Sequence, residues 1–337
     1  MGEEKIRTSV AEVHRVVAAA LGRAGCDGAN ADAVAAVVAA AERDGCASHG
    51  VFRLAGYLAA LRSGKVDGAA RPSVARIAPG VLRVDARSGF APLAIGAARE
   101  ALAPLAREQG LAAAAVVNAH HFSALWADVE PLAEAGLVAI AMTSYMPAVA
   151  PAGARVPFFG TNPMAFAWPR AGGTALVVDQ ASAAMARGEV TLAAREGRSL
   201  PPGTGIDAAG QPTTDPAAVL KGALLPFGGH KGSGIALMVE LLAGALIGQS
   251  FSVEAAERDN KDGGPPSGGV FMLALDPARF GDAEGWLDHG ESFLARLAAL
   301  DGVRLPGDRR AANRRRIAIE GVELPAKLWA EALEAAA

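Results

Sequence analysis

Asp44-Gly45-Cys46-Ala47-Ser48-His49-Gly50-Val51-Phe52-Arg53 interrupts two helical patterns and sets a hydroxyl, an imidazole and a guanidinium within six positions, Ser48 to Arg53. Glycines on both sides of the Ser48-His49 pair permit a tight loop. Arg53 is expected about one turn into the next helix, so all three side chains can face one small cavity. A serine ahead of a helix also serves as an N-cap, and the stretch gains a functional meaning only from its surroundings.

Upstream, Ser9-Val10-Ala11-Glu12 reads as a capping box, and Val10, Val13, Val17 and Leu21 mark one face of a helix ending near Gly25. A second helix is expected from Asn30 to Gly45, and a third carries Arg53, Leu54, Tyr57, Leu58 and Leu61 up to Gly64. The opening is therefore all helical, and Lys65 to Pro72 forms a boundary of Gly, Pro and charge. Beyond it, Val81-Asp85, Leu111-Val117, Leu137-Ser144, a segment ending at Asp179 and Val270-Leu275 read as strands. Helical patterns at Pro92-Gln109, around Trp126 up to Gly136, at Gln180-Arg187, Ile235-Ile247 and Ala283-Leu300 alternate with them. Periodicity alone suggests a doubly wound α/β sheet.

With 51% hydrophobic residues in 337, the chain can bury a large core. A net charge of -3 and 5% aromatics give no reason to expect a nucleic-acid partner. The two cysteines, Cys26 and Cys46, suit a reducing compartment and lack zinc-site spacing. No apolar run reaches about 18 residues free of charges and breakers, so neither a signal peptide nor a membrane span is expected, and a cytoplasmic location is.

The glycines of Gly228-Gly229-His230-Lys231-Gly232-Ser233-Gly234 fit neither a Rossmann fingerprint nor a P-loop, yet His230 and Lys231 ahead of a helix suit a phosphate. The strand-to-helix turn at His120-His121-Phe122 offers free backbone N–H groups for the same purpose. Adjacent histidines point apart in extended chain and no carboxylate or thiolate is spaced to join them, so no metal site is expected.

Ser48-His49-Gly50 with Arg53, His120-His121-Phe122, Gly160-Thr161-Asn162-Pro163, Asp179 with Ala181-Ser182, and Gly229-His230-Lys231-Gly232 occur in this order in the malate/L-lactate dehydrogenase family of non-Rossmann oxidoreductases, which the chain resembles over nearly its whole length. Ala41-Glu42-Arg43-Asp44-Gly45, the His120-Glu130 segment with Trp126, and Ala186-Arg187-Gly188-Glu189 look most like the Δ1-piperideine-2-carboxylate/Δ1-pyrroline-2-carboxylate reductases. Family malate and lactate enzymes commonly carry lysine where this chain has Glu189.

The resemblance implies an α/β (α+β) chain whose nucleotide domain, over residues 71-282, is built on a largely antiparallel sheet. It implies a helical domain over 1-70 joined by the C-terminal segment from about 283 to 337, with the substrate site at the interface, and a homodimer. It implies NADPH, with NADH as the alternative, held by His120, His121, Phe122, Ser123 and Ala124, by Asp179, Gln180 and Ala181, by His230 and Lys231, and by Arg304, Gly307, Asp308, Arg309 and Arg310. Gln180 replaces a more usual apolar residue. Arg53 and Thr161 would hold the substrate, and Ser48, His49 and Glu189 would be catalytic.

The function expected on that basis is reduction of a cyclic imine carboxylate, giving L-pipecolate or L-proline. Arg53 would pair with the carboxylate, and His49, as an imidazole near its ordinary pKa, would supply the proton. One rival is a malate/L-lactate-type 2-hydroxy acid dehydrogenase working with the same residues. The other is a non-catalytic NADPH-binding protein, against which the Ser48-His49-Arg53 grouping argues.

Overall fold

The structure is a computed structural model and describes residues 4–337. Its centre is a seven-stranded sheet in the order Ser73–Ala78, Val81–Asp85, Leu111–Ala119, Gly268–Leu275, Val138–Thr143, Met164–Trp168, Leu176–Gln180. Only the pairing of Val81–Asp85 with Leu111–Ala119 is parallel, across the crossover helix Ala91–Gln109; every other neighbouring pair is antiparallel. The mixed, mostly antiparallel sheet agrees with the family resemblance and overturns the doubly wound reading. The reason is Gly268–Leu275, which returns from far along the chain and inserts between a pair of strands that a βαβ succession would make neighbours.

Small side chains let the crossover helix lie close to this sheet. Ala94, Ala98, Ala106, Ala112, Ala114, Ala139, Ala141, Ala165 and Ala167 are all buried with Leu102, Val116 and Met272 in one core. A second core is helical and gathers both ends of the chain. Val13, Val17, Leu21, Val34, Val38, Leu54 and Tyr57 pack there with Ile317, Leu324 and Trp329, and strand Lys5–Thr8 pairs antiparallel with Val322–Pro325.

The helical unit thus draws its C-terminal share from Ile317 onward. Helix Trp286–Ala298, expected within it, packs instead on the outer strands: Leu294 is buried with Leu176 and Leu305, Trp286 meets Trp168 edge-on at 5.6 Å, and Arg170 bonds Glu291. Two local expectations also change. The second helix begins at Gly28, because Asp27 caps it by accepting from Asn30 N at 3.0 Å. The segment after Gln180 is irregular until Ala186, the N-cap of helix Arg187–Glu196. The arginine-rich tail is helical over Asp308–Glu320.

Candidate active site

After helix Gly28–Arg43, Gly45 turns the chain at φ 71°, and two short 3-10 turns follow, Ala47–His49 and Val51–Arg53, joined at Gly50. Arg53 closes the second turn and precedes helix Leu54–Arg62, one turn earlier than expected. Ser48 is buried, its Oγ 3.2 Å from His49 Nδ1. Arg53 Nε donates to Ser48 O at 2.7 Å, which fixes the plane of the guanidinium and leaves its terminal nitrogens free for a ligand. Gly188 allows the close fit: a Cβ there would lie 2.9 Å from Ser48 Cβ and 3.2 Å from Arg53 Nη2.

No carboxylate pairs with Arg53 among the described residues. Burial, and Arg187 nearby, lower its pKa, as befits a desolvated cation lacking a counterion, while Tyr145 and Tyr57 act in the opposite sense. His49, half-buried, is pushed down to about 3, first by burial and then by Arg53 and His121. The imidazole is therefore neutral at pH 7, which corrects the expectation of an ordinary pKa. Sequence spacing carried no information on how deeply the ring is enclosed.

His121 Nε2 lies 2.9 Å from Asp128 Oδ2 and 3.5 Å from Ser123 Oγ. Asp128, fully enclosed, escaped the sequence reading; its only signal was an acid in the first turn of helix Trp126–Glu134. Asp179 Oδ2 accepts from Trp126 N at 2.8 Å, and burial raises its pKa to about 6 against the opposing pull of that bond and of Arg310. Glu189 is exposed in the first turn of helix Arg187–Glu196 and makes no hydrogen bond to Ser48 or His49.

Thr161 is half-buried and its carbonyl accepts from Ser182 N at 2.8 Å. The adjoining Asn162 is the anchor: wholly buried at φ 41°, it donates to Ala236 O and to Glu240 Oε1, while Glu240 also receives Ser252 N and Oγ. A small cavity lies against His121, Thr143 and Tyr145. A roomier one of about 440 Å³, lined by Lys65, Asn118 and His120 among others, shares its Ser250 and Pro266 wall. The smaller, not the larger, adjoins the His121 side of the site.

The residues suited to a nucleotide fall into three groups. His120 is buried and its Nδ1 donates to Pro265 O at 3.0 Å, Phe122 packs on Tyr57 at 4.4 Å between ring centres, and Ser123 and Ala124 lead into helix Trp126–Glu134. Facing them are Asp179, Gln180 and Ala181 at the end of the outermost strand, and Arg310, whose Nη2 donates to Val177 O at 3.1 Å while its guanidinium lies 5.5 Å from the Trp126 ring. Leu305 N donates to Asp308 Oδ2, Gly307 caps the helix at φ 96°, and Arg304 and Arg309 are exposed. His230 and Lys231 stand apart, exposed at the first turn of helix His230–Ala243 behind Gly228 and Gly229, both at positive φ.

Arg310 Nε and Trp126 Nε1 are the only buried side-chain nitrogens or oxygens without a partner among the described residues. Unmet N–H donors beside a strand end and a helix N-terminus suit an acceptor-rich nucleotide.

The malate/L-lactate dehydrogenase family model matches residues 8–332. The chain belongs to that family. Its members are NAD(P)-dependent oxidoreductases, and this chain is one by descent. Within the family it is 49% identical over 331 residues to a Δ1-pyrroline-2-carboxylate reductase of Ancylobacter novellus, covering 98% of this chain and 97% of that one. It is 48% identical over 330 residues to a Δ1-pyrroline-2-carboxylate/Δ1-piperideine-2-carboxylate reductase of Pseudomonas aeruginosa, covering 97% and 98%. The crystal structure of the Δ1-piperideine-2-carboxylate reductase of Pseudomonas syringae superposes with a TM-score of 0.93 at 44% identity, over 98% of this chain and 99% of that one.

Proposed function

We propose that this protein is an NADPH-dependent reductase of cyclic imine carboxylates, converting Δ1-piperideine-2-carboxylate to L-pipecolate and Δ1-pyrroline-2-carboxylate to L-proline. The relatives' names support the substrate class. The observation that carries the reading is a cation without a counterion, Arg53, beside a neutral imidazole, His49. A bidentate carboxylate satisfies the free edge of the guanidinium and fixes the neighbouring sp² carbon. The bound reduced nicotinamide supplies hydride to that carbon.

A neutral His49 has a lone pair to offer and no proton to spare at pH 7. A cyclic iminium arrives already protonated, so its N–H⁺ donates to the imidazole, which orients the C=N bond and stabilises the charge. Ser48 holds the ring by its Oγ contact, and the His121–Asp128 pair lines the neighbouring wall. We assign the buried Asp128, rather than the exposed Glu189, as the acid of this network. Thr161 completes the substrate end of the site.

Arg310, Trp126, the His121–Ala124 turn, Asp179–Ala181 and His230–Lys231 form the cofactor side in this reading, with Arg304 and Arg309 at the 2′-phosphate. The same reading takes 1-70 with the segment from Ile317 onward as one domain and the sheet with helix Trp286–Ala298 as the other, in a cytoplasmic homodimer. The dimer is supported by helix His230–Ala243 and its extension to Ile247, which leave Leu237, Leu241 and Leu246 about half exposed or more. That stretch has the length and mean hydropathy of a weak membrane span, but buried Glu240, bonded to Asn162 and Ser252, ties it into the protein interior.

Oxidation of NADPH and of NADH is followed with both cyclic imine carboxylates, pyruvate and oxaloacetate. The expected result is turnover of the imines at a kcat/KM at least about tenfold above the keto acids, with NADPH preferred. A keto acid as the best substrate refutes the imine reading.

A further inference from the structure

Glu42 is a carboxyl that the chemistry above does not use and that its position does not favour. It is 6% exposed, lies next to last in helix Gly28–Arg43, where the helix dipole opposes an acid, and has no cation within ion-pair distance among the described residues. Burial accordingly raises its pKa to about 7, and a single backbone N–H opposes that shift. That N–H belongs to Val51, which donates to Oε1 at 2.7 Å from the start of the second 3-10 turn, where no helical acceptor is available. Gly50 lies flat against the same carboxyl: a Cβ there would sit 1.9 Å from Oε1. Because Gly50 has φ -87°, the obstacle to a side chain is this carboxyl and not a left-handed backbone.

We propose that Glu42 is a positioning residue, which holds Gly50 and Val51 so that the turn bearing Ser48 and His49 and the turn bearing Arg53 keep a fixed mutual orientation. The inference rests on the proposed roles of His49 and Arg53. Those two side chains grip different ends of the same substrate, and the joint between them is one glycine. Arg53 Nε on Ser48 O ties the turns at one point, and without the second tie of Glu42 on Val51 N they pivot about it, so that the carboxylate and the imine nitrogen no longer meet their partners together.

The test compares Glu42→Ala, Glu42→Gln and Gly50→Ala with the parent, by steady-state kinetics on the imine and by NADPH titration of fluorescence. Parent turnover of the imine tests the underlying reading; the variant ratios test Glu42. Glu42→Ala is expected to raise KM and lower kcat together, with kcat/KM down about 10²-fold and NADPH affinity changed less than about threefold, because an error of about 1 Å in a reacting group costs that much. Glu42→Gln, whose amide oxygen still accepts from Val51, is expected to stay within about fivefold of the parent. Gly50→Ala, which evicts the carboxyl with Glu42 still present, is expected to reproduce the KM rise and decides the matter if Glu42→Ala does not fold. An unchanged KM in Gly50→Ala, or a Gln variant as impaired as the Ala variant, overturns the proposal.

Discussion

Replacement of Arg53 separates substrate recognition from every other property of the site. Its Nε is committed to Ser48 O, so the two terminal nitrogens present a pair of parallel donors that no described acid occupies. Each charge-assisted bond to a carboxylate contributes about 1.5–3 kcal/mol, so Arg53→Ala removes about 3–6 kcal/mol and lowers kcat/KM by about 10²–10⁴. Arg53→Lys keeps the charge and loses the fork and the Ser48 contact, and about half of that loss is expected. NADPH affinity, measured by titration of fluorescence, is expected to stay within about threefold in both variants, because the nucleotide contacts lie elsewhere in the proposal. Arg53→Ala also removes the larger of the two side-chain influences that depress His49, so the imidazole pKa, read by NMR, is expected to rise while burial still keeps it below its ordinary value. Equal losses of substrate and cofactor affinity, or an unmoved His49, refute this reasoning.

Three further outcomes follow from particular contacts. Arg314 bonds both carboxylate oxygens of the fully enclosed Asp44 and also Glu130 at 2.6 Å, so Arg314→Met leaves the buried Glu130 without its cation and Asp44 with Arg43 alone, and is expected to cost about 3–5 kcal/mol in denaturant unfolding. Asp179 has its folded pKa raised from 3.8 to about 6, so its contribution to stability is full below pH 3.8 and is lost as pH rises through 6; the parent is expected to lose up to about 3 kcal/mol across that window, and Asp179→Asn, which keeps an acceptor for Trp126 N, to lose none of it. Leu241→Glu, on the exposed side of helix His230–Ala243, is expected to convert the proposed dimer to monomer by light scattering at unchanged NADPH affinity; a dimer of undiminished stability places the interface on another face.

The features of the fold legible in the sequence are those set by local physics. Ser9 caps the first helix by accepting from Glu12 N, although Glu12 bonds Arg15 instead of closing the box, and Val13, Val17 and Leu21 are buried as their periodicity predicts while Val10 is half-buried. Five strands of the central sheet were legible for the same reason, while Ser73–Ala78 and Met164–Trp168 were not read as strands. Strand order was not, because pairing Gly268–Leu275 with Leu111–Ala119 and Val138–Thr143 is a tertiary event with no local signature. Helix Asp308–Glu320 escaped the apolar pattern because only Ile317 of it is buried; it is held by Arg314 on Asp44 and Glu130, a contact between residues far apart in sequence. At the site, the nearness of Ser48, His49 and Arg53 was legible from spacing. The protonation of His49 was not, since it depends on burial and on His121, which comes from the turn after strand Leu111–Ala119, far away in sequence.

The neutral imidazole bears on the choice between imine and hydroxy acid chemistry, because the two need opposite things from it. Reducing a keto acid develops charge on an oxygen that must be given a proton, and an imidazole with a pKa near 3 carries almost none at pH 7. A bound carboxylate cancels the field of Arg53, but burial, the larger cause, remains, so substrate binding does not restore an ordinary acid. Reducing an iminium only discharges a cation, and a lone pair from His49 steadies that cation before hydride arrives. Run toward oxidation, a hydroxy acid would find in the same ring a base too weak to accept its proton readily. Thus a His49 pKa pushed down by its surroundings weakens the ring as acid and as base for the 2-hydroxy acid reaction, while the pre-protonated imine asks for neither. The rate with imine is then expected to fall with rising pH as the iminium itself deprotonates, with a midpoint that follows the ring chosen as substrate. A midpoint that stays fixed when the ring is changed, and disappears in His49→Ala, returns the proton to the enzyme and defeats the argument.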